Sequence, residues 1–177
     1  MNSPASATAL PGLNVLEQTP IIIEKLVSLA TEDQLAWKPA MDRWSISEVL
    51  AHLADAEVAA FRERIRMMME QDTPKLEAYD QNAQYAAGKY TGGKAREHLK
   101  TFCHERDRSL SMLRYLPENV FTRKGVHSTI GPITVGQLMN EWAFHDLGHI
   151  RQITELFRSR AFYPAMGAFQ KYYTVKP

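Results

Sequence analysis

The sequence lacks the features that mark a secreted, disulfide-bonded protein or a membrane protein. Cys103 is its single cysteine, so no disulfide can form within the chain, and we expect a cytoplasmic protein. Long apolar runs are also missing. The most apolar stretch, residues 21–23, is followed at once by Glu24 and Lys25, whereas a membrane-spanning helix needs about 20 consecutive apolar residues. We therefore expect no membrane partner.

An excess of charge of either sign is missing as well. The formal net charge is +1 at pH 7, so the basic footprint typical of nucleic-acid-binding proteins is not there and we expect no nucleic-acid partner. Residues 1–12 are small and polar, and we expect a flexible N-terminus there rather than a signal peptide. Because 45% of the residues are hydrophobic, residues 13–177 can form a single globular domain with its own core.

What the sequence does contain is helical periodicity, which predicts an all-α fold. Two helix starts carry a capping-box pattern, Ser45 with Glu48 and Thr134 with Gln137. No segment alternates convincingly in the way of a β-strand. Four long amphipathic segments with a long second connection predict a four-helix bundle. These segments cover residues 13–30, 46–71, 94–116 and 134–159.

Several details of this bundle stay open. Pro20 is unfavourable inside a helix, so the first helix either begins there or begins earlier and bends, and we favour the longer helix. The connection 72–92 can contain a short helix near residues 81–87. Residues 118–133 form either a loop or a short extended pair. The tail, residues 162–177, is expected to pack along the bundle as extended chain.

The fourth segment has histidine at two positions where its apolar stripe asks for apolar residues, His145 and His149. Residues four apart share a helix face, so one divalent cation can bridge both rings. Burying neutral imidazoles without partners costs about 1–3 kcal/mol each, and metal coordination would supply the missing partners. His52, at the edge of the second segment's stripe, is the candidate third ligand. Three histidines would leave an open coordination position.

Other interpretations of these histidines remain possible from the residues alone. The rings could be hydrogen-bonded core residues without a metal. The third ligand could instead come from His98, His104 or His127. The spacing of His145, Asp146 and His149 also resembles the HExxH helix of zinc proteases, but there the general base is a longer glutamate. We expect Asp146 to point off the stripe, to a hydrogen bond or to solvent, and we do not favour the protease interpretation.

Two blocks of the sequence resemble the DinB/YfiT-like family, a group within the DinB superfamily. The first block is residues 44–57, and the second is residues 131–138 followed by residues 145–153. The resemblance extends over residues 13–157. It implies a four-helix bundle in up-down-down-up order, often dimeric, with a divalent metal, commonly zinc or nickel, held by three histidines. Carried over position by position, these metal ligands are His52, His145 and His149.

The resemblance also bears on function. It includes low-molecular-weight-thiol S-transferases, thiol-dependent isomerases and proteins regarded as hydrolases. We therefore expect a metal-dependent enzyme that activates a thiol or water for attack on a small electrophilic substrate, with a low-molecular-weight thiol as a possible second substrate and a homodimer as the assembly. The alternative is a non-catalytic, metal-stabilised binding module in a stress response. A third interpretation is a metal-free helical dimer. The catalytic residues are not identified.

Four more residues are candidates around the metal. Glu48 and Glu141 lie one helical turn before His52 and His145 and are candidates for orienting those rings, although each is equally typical of a solvated surface. Arg123 and His127 precede the fourth helix and are candidates for contacting the substrate. The basic residues of the second helix are interleaved with acidic ones, so we expect a solvated face there; they are Arg62, Arg64 and Arg66.

Overall fold

A computed structural model describes residues 12–177. The predicted flexible N-terminus therefore lies, apart from Gly12, outside the described residues. Most of the described chain is helical, and none of its helices is long and apolar enough to cross a membrane. The helices are α1 Leu13–Ser28, α2 Glu32–Ala36, α3 Ile46–Ala56, α4 Glu63–Glu70, α5 Gln81–Ala86, α6 Ala95–Leu113 and α7 Val135–Ala161. A π-helical segment, Glu57–Arg62, joins α3 to α4.

The long helical segments form a four-helix bundle, as the periodicity predicts, in the up-down-down-up order that the family resemblance implies. Helix α3 and the π segment run parallel to α6. Arg106 donates to Glu57, and further along both helical segments Arg62 donates to Ser109. Helix α7 runs antiparallel to α3, because His52 contacts His145 whereas the later Phe61 stacks on the earlier Trp142. The parallel pair requires the long connection between α4 and α6.

The helix starts follow the predicted capping chemistry. The Ser45 hydroxyl accepts from the Glu48 backbone N–H while the Glu48 carboxylate accepts from the Ser45 N–H, and Thr134 and Gln137 repeat the arrangement at α7. Helix α1 continues through Pro20, which confirms the longer first helix. The predicted short helix in the second connection is confirmed as α5.

The second long helix differs from the prediction at its centre. It was expected to be one α-helix over residues 46–71, but Glu57–Arg62 adopts π geometry between α3 and α4. A π turn contains more residues than an α turn, so it changes which face the following side chains present. In this region Arg62 and Arg64 are buried while Arg66 is exposed. The prediction of a solvated face is wrong for the first two arginines.

The structure also contains a small sheet, of which only the pair within residues 118–133 was among the predicted alternatives. Three short strands form a sheet in the order β1-β2-β3, with bounds Lys75–Leu76, Lys124–His127 and Gly131–Thr134. Strands β2 and β3 are antiparallel, with Lys124 opposite Thr134 and His127 opposite Gly131, which confirms the extended pair within 118–133. Strand β1 pairs in parallel with β2. The sheet ties the second connection to the segment that enters α7.

The tail also departs from the predicted extended chain. Residues Tyr163–Ala165 and Gly167–Tyr172 form 3-10 turns, and extended or irregular chain is confined mainly to residues 173–177. Pro164 near the start of the first turn and Gly167, with φ +53°, favour these tight turns. The Lys176 backbone N–H donates to Glu155, so the end of the tail does lie against α7.

The core consists of two hydrophobic clusters separated by a polar layer. One cluster surrounds Phe102 and Ile153, and the other surrounds Phe61 and Trp142. Between them each long helix contributes buried polar side chains at the same level: Thr19, His52, Glu57, Arg106 and Asp146. Buried polar groups cost free energy unless they are paired, so core packing alone does not explain this layer, and it is the first place to look for a functional site.

Candidate metal centre

Three histidine side chains converge in the polar layer. The Nε2 atom of His145 lies 3.2 Å from the Nε2 atoms of both His52 and His149. Candidate ligand atoms of all three residues lie within 4.8 Å of one another. A tetrahedral zinc ion with Zn–N bonds of about 2.0–2.1 Å places its nitrogen ligands about 3.3–3.4 Å apart. The observed spacing therefore fits a shared divalent ion.

The bundle geometry explains this convergence. His145 and His149 lie one turn apart on α7, and their ring centroids are 4.4 Å apart. His52 comes from the antiparallel helix α3, and its ring centroid lies 4.8 Å from that of His149. His52 is fully buried, whereas 18% of the His145 side chain is exposed. The centre is thus reached from outside beside His145 rather than beside His52.

Burial keeps two of these rings neutral. It lowers the pKa of His52 to about 2 and of His149 to about 4, and the charge of the neighbouring histidines adds to both shifts. A neutral imidazole has one N–H, so three converging Nε2 atoms cannot all be satisfied by one another. A cation accepts a lone pair from each of them, and it requires neutral rings.

Gln152 fixes the orientation of one ring. Its Oε1 atom lies 2.9 Å from His149 Nδ1. Because the amide oxygen can only accept, Nδ1 carries the proton and the lone pair of Nε2 faces the centre. The Nδ1 atoms of His52 and His145 are buried and have no hydrogen-bond partner among residues 12–177. For His145 the nearest carboxylate oxygen is Asp146 Oδ1, at 3.9 Å.

Asp146 is held by a buried guanidinium. Arg106 donates two hydrogen bonds to Asp146, at 2.7 and 3.0 Å, and two to Glu57, at 2.9 and 2.8 Å. Its fifth N–H bonds the Leu16 carbonyl at 2.8 Å. Burial alone raises the pKa of Asp146, but hydrogen bonds and the Arg106 charge leave it below its usual range. Asp146 therefore points to a hydrogen bond, as one expectation allowed, and is not free to act as a protease base.

Two cavities meet at the histidines. The first, of about 520 Å³, contains His52 and His145 in its wall, together with Phe61, Arg64 and His127. The second is an open groove of about 770 Å³ that contains His145 and His149, with Trp44 and Arg151 among its other residues. His145, Glu141 and Gln81 border both. An ion at the centre would thus be open to molecules from two directions.

Of the two predicted ring-orienting carboxylates, Glu48 has a different role. Its oxygens accept from Ser45 and from the Lys38 ammonium, at 2.9 Å. It does not bond His52, because its position at the helix start commits it to the capping box. Glu141 lies exposed at the border of both cavities. Its pKa is raised by reduced solvation, against the opposing effect of His145 and Arg64.

Of the two predicted substrate-contacting residues, His127 lines the first cavity, with Nδ1 accepting from the Thr129 hydroxyl and backbone N–H, at 3.1 and 3.3 Å. Arg123 does not line either cavity. Its guanidinium donates to the backbone carbonyls of Met68 and Gln71 and so ties the end of α4 to the sheet. Arg123 does not reach the cavities because the unpaired carbonyls at the C-terminus of a helix attract a nearby arginine.

Sequence reasoning missed three polar residues of this region: Arg64, Arg106 and Gln152. Gln152 had a usable signal, because it follows His149 by three residues on the same helix face. Arg106 had none, since its partners lie on other helices.

Comparison with known proteins agrees with the fold and places the chain among relatives named as metal-dependent. Residues 16–153 match the family model of the DinB superfamily. The chain belongs to the DinB superfamily. It is similar to YfiT of Bacillus subtilis (strain 168), whose name assigns it provisionally as a metal-dependent hydrolase, with 26% identity over 147 residues, 82% of either chain. It is also similar to OB0782 of Oceanobacillus iheyensis, named in the same way, with 24% identity over 149 residues, 84% of this chain and 85% of that one.

Two solved structures share this fold. The crystal structure of YfiT, described as a four-helix bundle of unusual topology, superposes with a TM-score of 0.75, at 25% identity over 90% of this chain and 93% of YfiT. A mycothiol-dependent maleylpyruvate isomerase superposes with a TM-score of 0.60, at 11% identity over 82% of this chain and 65% of the isomerase. The second likeness shows a shared fold only.

Proposed function

We propose that this DinB-superfamily protein is a metal-dependent enzyme that binds zinc or nickel through His52, His145 and His149. The observation that carries the proposal is the convergence of three histidine Nε2 atoms at a spacing that suits one ion. A three-histidine set leaves one coordination position for a small molecule, as in catalytic sites. When bound, the divalent cation lowers the pKa of a thiol or water that it coordinates and so supplies a nucleophile near neutral pH.

The chain's own residues would position this chemistry. Gln152 holds the His149 ring with its Nε2 lone pair inward. The hydrogen bonds from Arg106 hold Asp146 and thereby the turn of α7 between His145 and His149. Phe61, stacked on Trp142 with ring centroids 4.7 Å apart, contacts the edge of the His145 ring and helps to hold it in place. These contacts preorganise the rings before any substrate arrives.

The two cavities favour a reaction between two molecules. One molecule could approach His145 from the first cavity and another from the groove beside His149. This arrangement supports attack of a low-molecular-weight thiol on a small electrophile, with hydrolysis by water as the variant reaction. The thiol-dependent isomerase with a related fold is in keeping with this idea, as are the provisional hydrolase assignments of YfiT and OB0782.

Metal analysis tests the proposal first. Untagged protein should contain about one zinc or nickel ion per chain, and His149→Ala should lose it. His104→Ala is the matched control, because His104 is an exposed histidine of α6. Metal retained by His149→Ala would overturn the site.

Turnover tests the enzyme against the non-catalytic module. Metal-loaded protein should consume thiol–electrophile pairs or hydrolysable esters, and His149→Ala should not. If no turnover occurs while metal removal strongly lowers the thermal stability, the metal-stabilised binding module is the better description.

A further inference from the structure

Arg64 is a buried cation without a carboxylate partner. Only 9% of this residue is exposed. Its Nη2 atom donates to the backbone carbonyl of Glu77 at 2.7 Å, and within residues 12–177 no carboxylate forms an ion pair with it. By contrast, Arg62 and Arg66, its neighbours on the same helical segment, are both paired with glutamates. A buried guanidinium normally has a charged partner, so this one is exceptional.

Arg64 lines the first cavity and has unpaired N–H groups. It borders that cavity together with His52 and His145. Nε and Nη1 of Arg64 have no hydrogen bond within residues 12–177, yet they are not among the fully enclosed unsatisfied atoms. They are therefore accessible to a small molecule. These N–H groups are the donors that bind a carboxylate in a bidentate manner.

The rest of the cavity is mostly apolar. Its walls include Phe61, Ile130, Ile133 and Leu138, and its volume of about 520 Å³ lies within the range of small-molecule sites. One cation set in apolar walls beside the histidines would orient a molecule that has an acidic end and an apolar body. With its acid group bound at Arg64, another part of such a molecule would reach the histidine centre.

Three further titratable residues line this cavity, and none of them forms an ion pair with Arg64: Tyr79, His127 and Glu141. Glu141 and Arg64 attract each other electrostatically, but no salt bridge joins them. Tyr79 donates its hydroxyl proton to Asp55, and His127 Nδ1 accepts from Thr129, so neither offers Arg64 a negative charge. Among the described residues that line the cavity, Arg64 is the only lysine or arginine.

We infer that the cavity beside the histidines takes a small apolar molecule carrying one carboxylate, and that Arg64 binds that carboxylate. This inference names the substrate class for the proposed enzyme, so its relevance to catalysis rests on the proposed function. The binding itself needs only Arg64 and the cavity walls. It can therefore be measured whether or not the metal centre is catalytic.

The test compares 4-phenylbutyrate with its neutral amide by isothermal titration on metal-loaded protein. The acid should bind at least about tenfold more tightly than the amide, a difference of about 1.4 kcal/mol, because hydrogen bonds between a guanidinium and a carboxylate are stronger than those to a neutral amide. Arg64→Met should abolish this preference, and Arg64→Lys should keep part of it. Arg66→Met is the matched control, since Arg66 lies on the same helix but is exposed.

A second arm separates Arg64 from the metal. Chelator-treated protein should retain the preference for the acid, because the inferred contact does not involve the histidines. Equal affinity for acid and amide, no detectable binding of either, or an acid preference that survives in Arg64→Met would overturn the inference. A preference that depends on the metal and not on Arg64 would show a carboxylate at the ion, which would overturn the inference and leave the proposed function intact.

Discussion

Arg106 donates a hydrogen bond of 2.8 Å to the carbonyl oxygen of Leu16, inside helix α1. In a regular helix this carbonyl would accept from the backbone N–H of the residue four positions later. That residue is Pro20, which has no N–H. The proline therefore leaves an acceptor free in the helix interior, and the buried guanidinium uses it. In this way a helix-disfavouring residue of α1 helps to hold the polar layer beside the histidines.

Replacing the guanidinium should strongly destabilise the protein. In Arg106→Met, two carboxylates, Glu57 and Asp146, would stay buried without their partner. We expect the free energy of unfolding to fall by about 3–5 kcal/mol, the cost typical of breaking a buried ion pair. Urea denaturation followed by circular dichroism measures it. Arg114→Met is the control, because its exposed pair with Glu17 should contribute less than about 1 kcal/mol. Equal losses in the two variants would contradict this role.

The contact of Gln152 with His149 should tune metal affinity. Gln152→Ala removes the acceptor of the Nδ1 proton and should weaken metal binding by about 10- to 100-fold, as loss of such partners typically does. Gln152→Glu restores an acceptor and should restore affinity. Competition with a chromophoric chelator gives the dissociation constants. Thr154→Ala, an exposed change on the same helix, is the control, and an unchanged affinity in Gln152→Ala would exclude the orienting role.

The capping box of α3 should support the helix that holds His52. The Ser45 hydroxyl accepts from the Glu48 N–H at 3.2 Å, while Glu48 accepts from the Ser45 N–H at 2.8 Å. Ser45→Ala removes half of this exchange and should cost about 1 kcal/mol of stability. Thermal unfolding measures the loss. Ser47→Ala, two residues later and outside the capping contacts, should change the melting temperature little, and an equal effect at both positions would argue against the cap.

The sequence predicted what depends on local periodicity. Capping boxes lie within four residues, so the starts at Ser45 and Thr134 could be identified directly. The histidines of α7 could be placed on the buried face because a single helix fixes their spacing. His52 needed the family resemblance, since its contact with His145 joins positions far apart in the chain.

The sequence could not predict what depends on contacts between distant elements. Nothing in the pattern of α6 indicates that Arg106 meets Glu57, Asp146 and a carbonyl of α1. The π segment before Arg64 could not be predicted either, because a hydrophobic pattern does not distinguish π from α geometry over one turn. The strands contain two to four residues, which is too short for an alternation to be recognised.

The stability of the metal-free protein should depend on pH through the buried histidines. Burial lowers the pKa of His52 to about 2 and of His149 to about 4, against about 6.5 in an unfolded chain. Between these values the unfolded state binds more protons than the folded state, so the free energy of unfolding falls as the pH falls below about 6.5. Each ring contributes up to about 1.4 kcal/mol per pH unit. Urea denaturation of chelator-treated protein between about pH 7 and pH 5 measures how the free energy of unfolding changes with pH, above the range where most carboxylates titrate.

His149→Leu should reduce this pH dependence by the contribution of one histidine, whereas His104→Leu, at an exposed position, should leave it unchanged. A pH dependence that His149→Leu does not alter would mean that this ring is not buried in the neutral form.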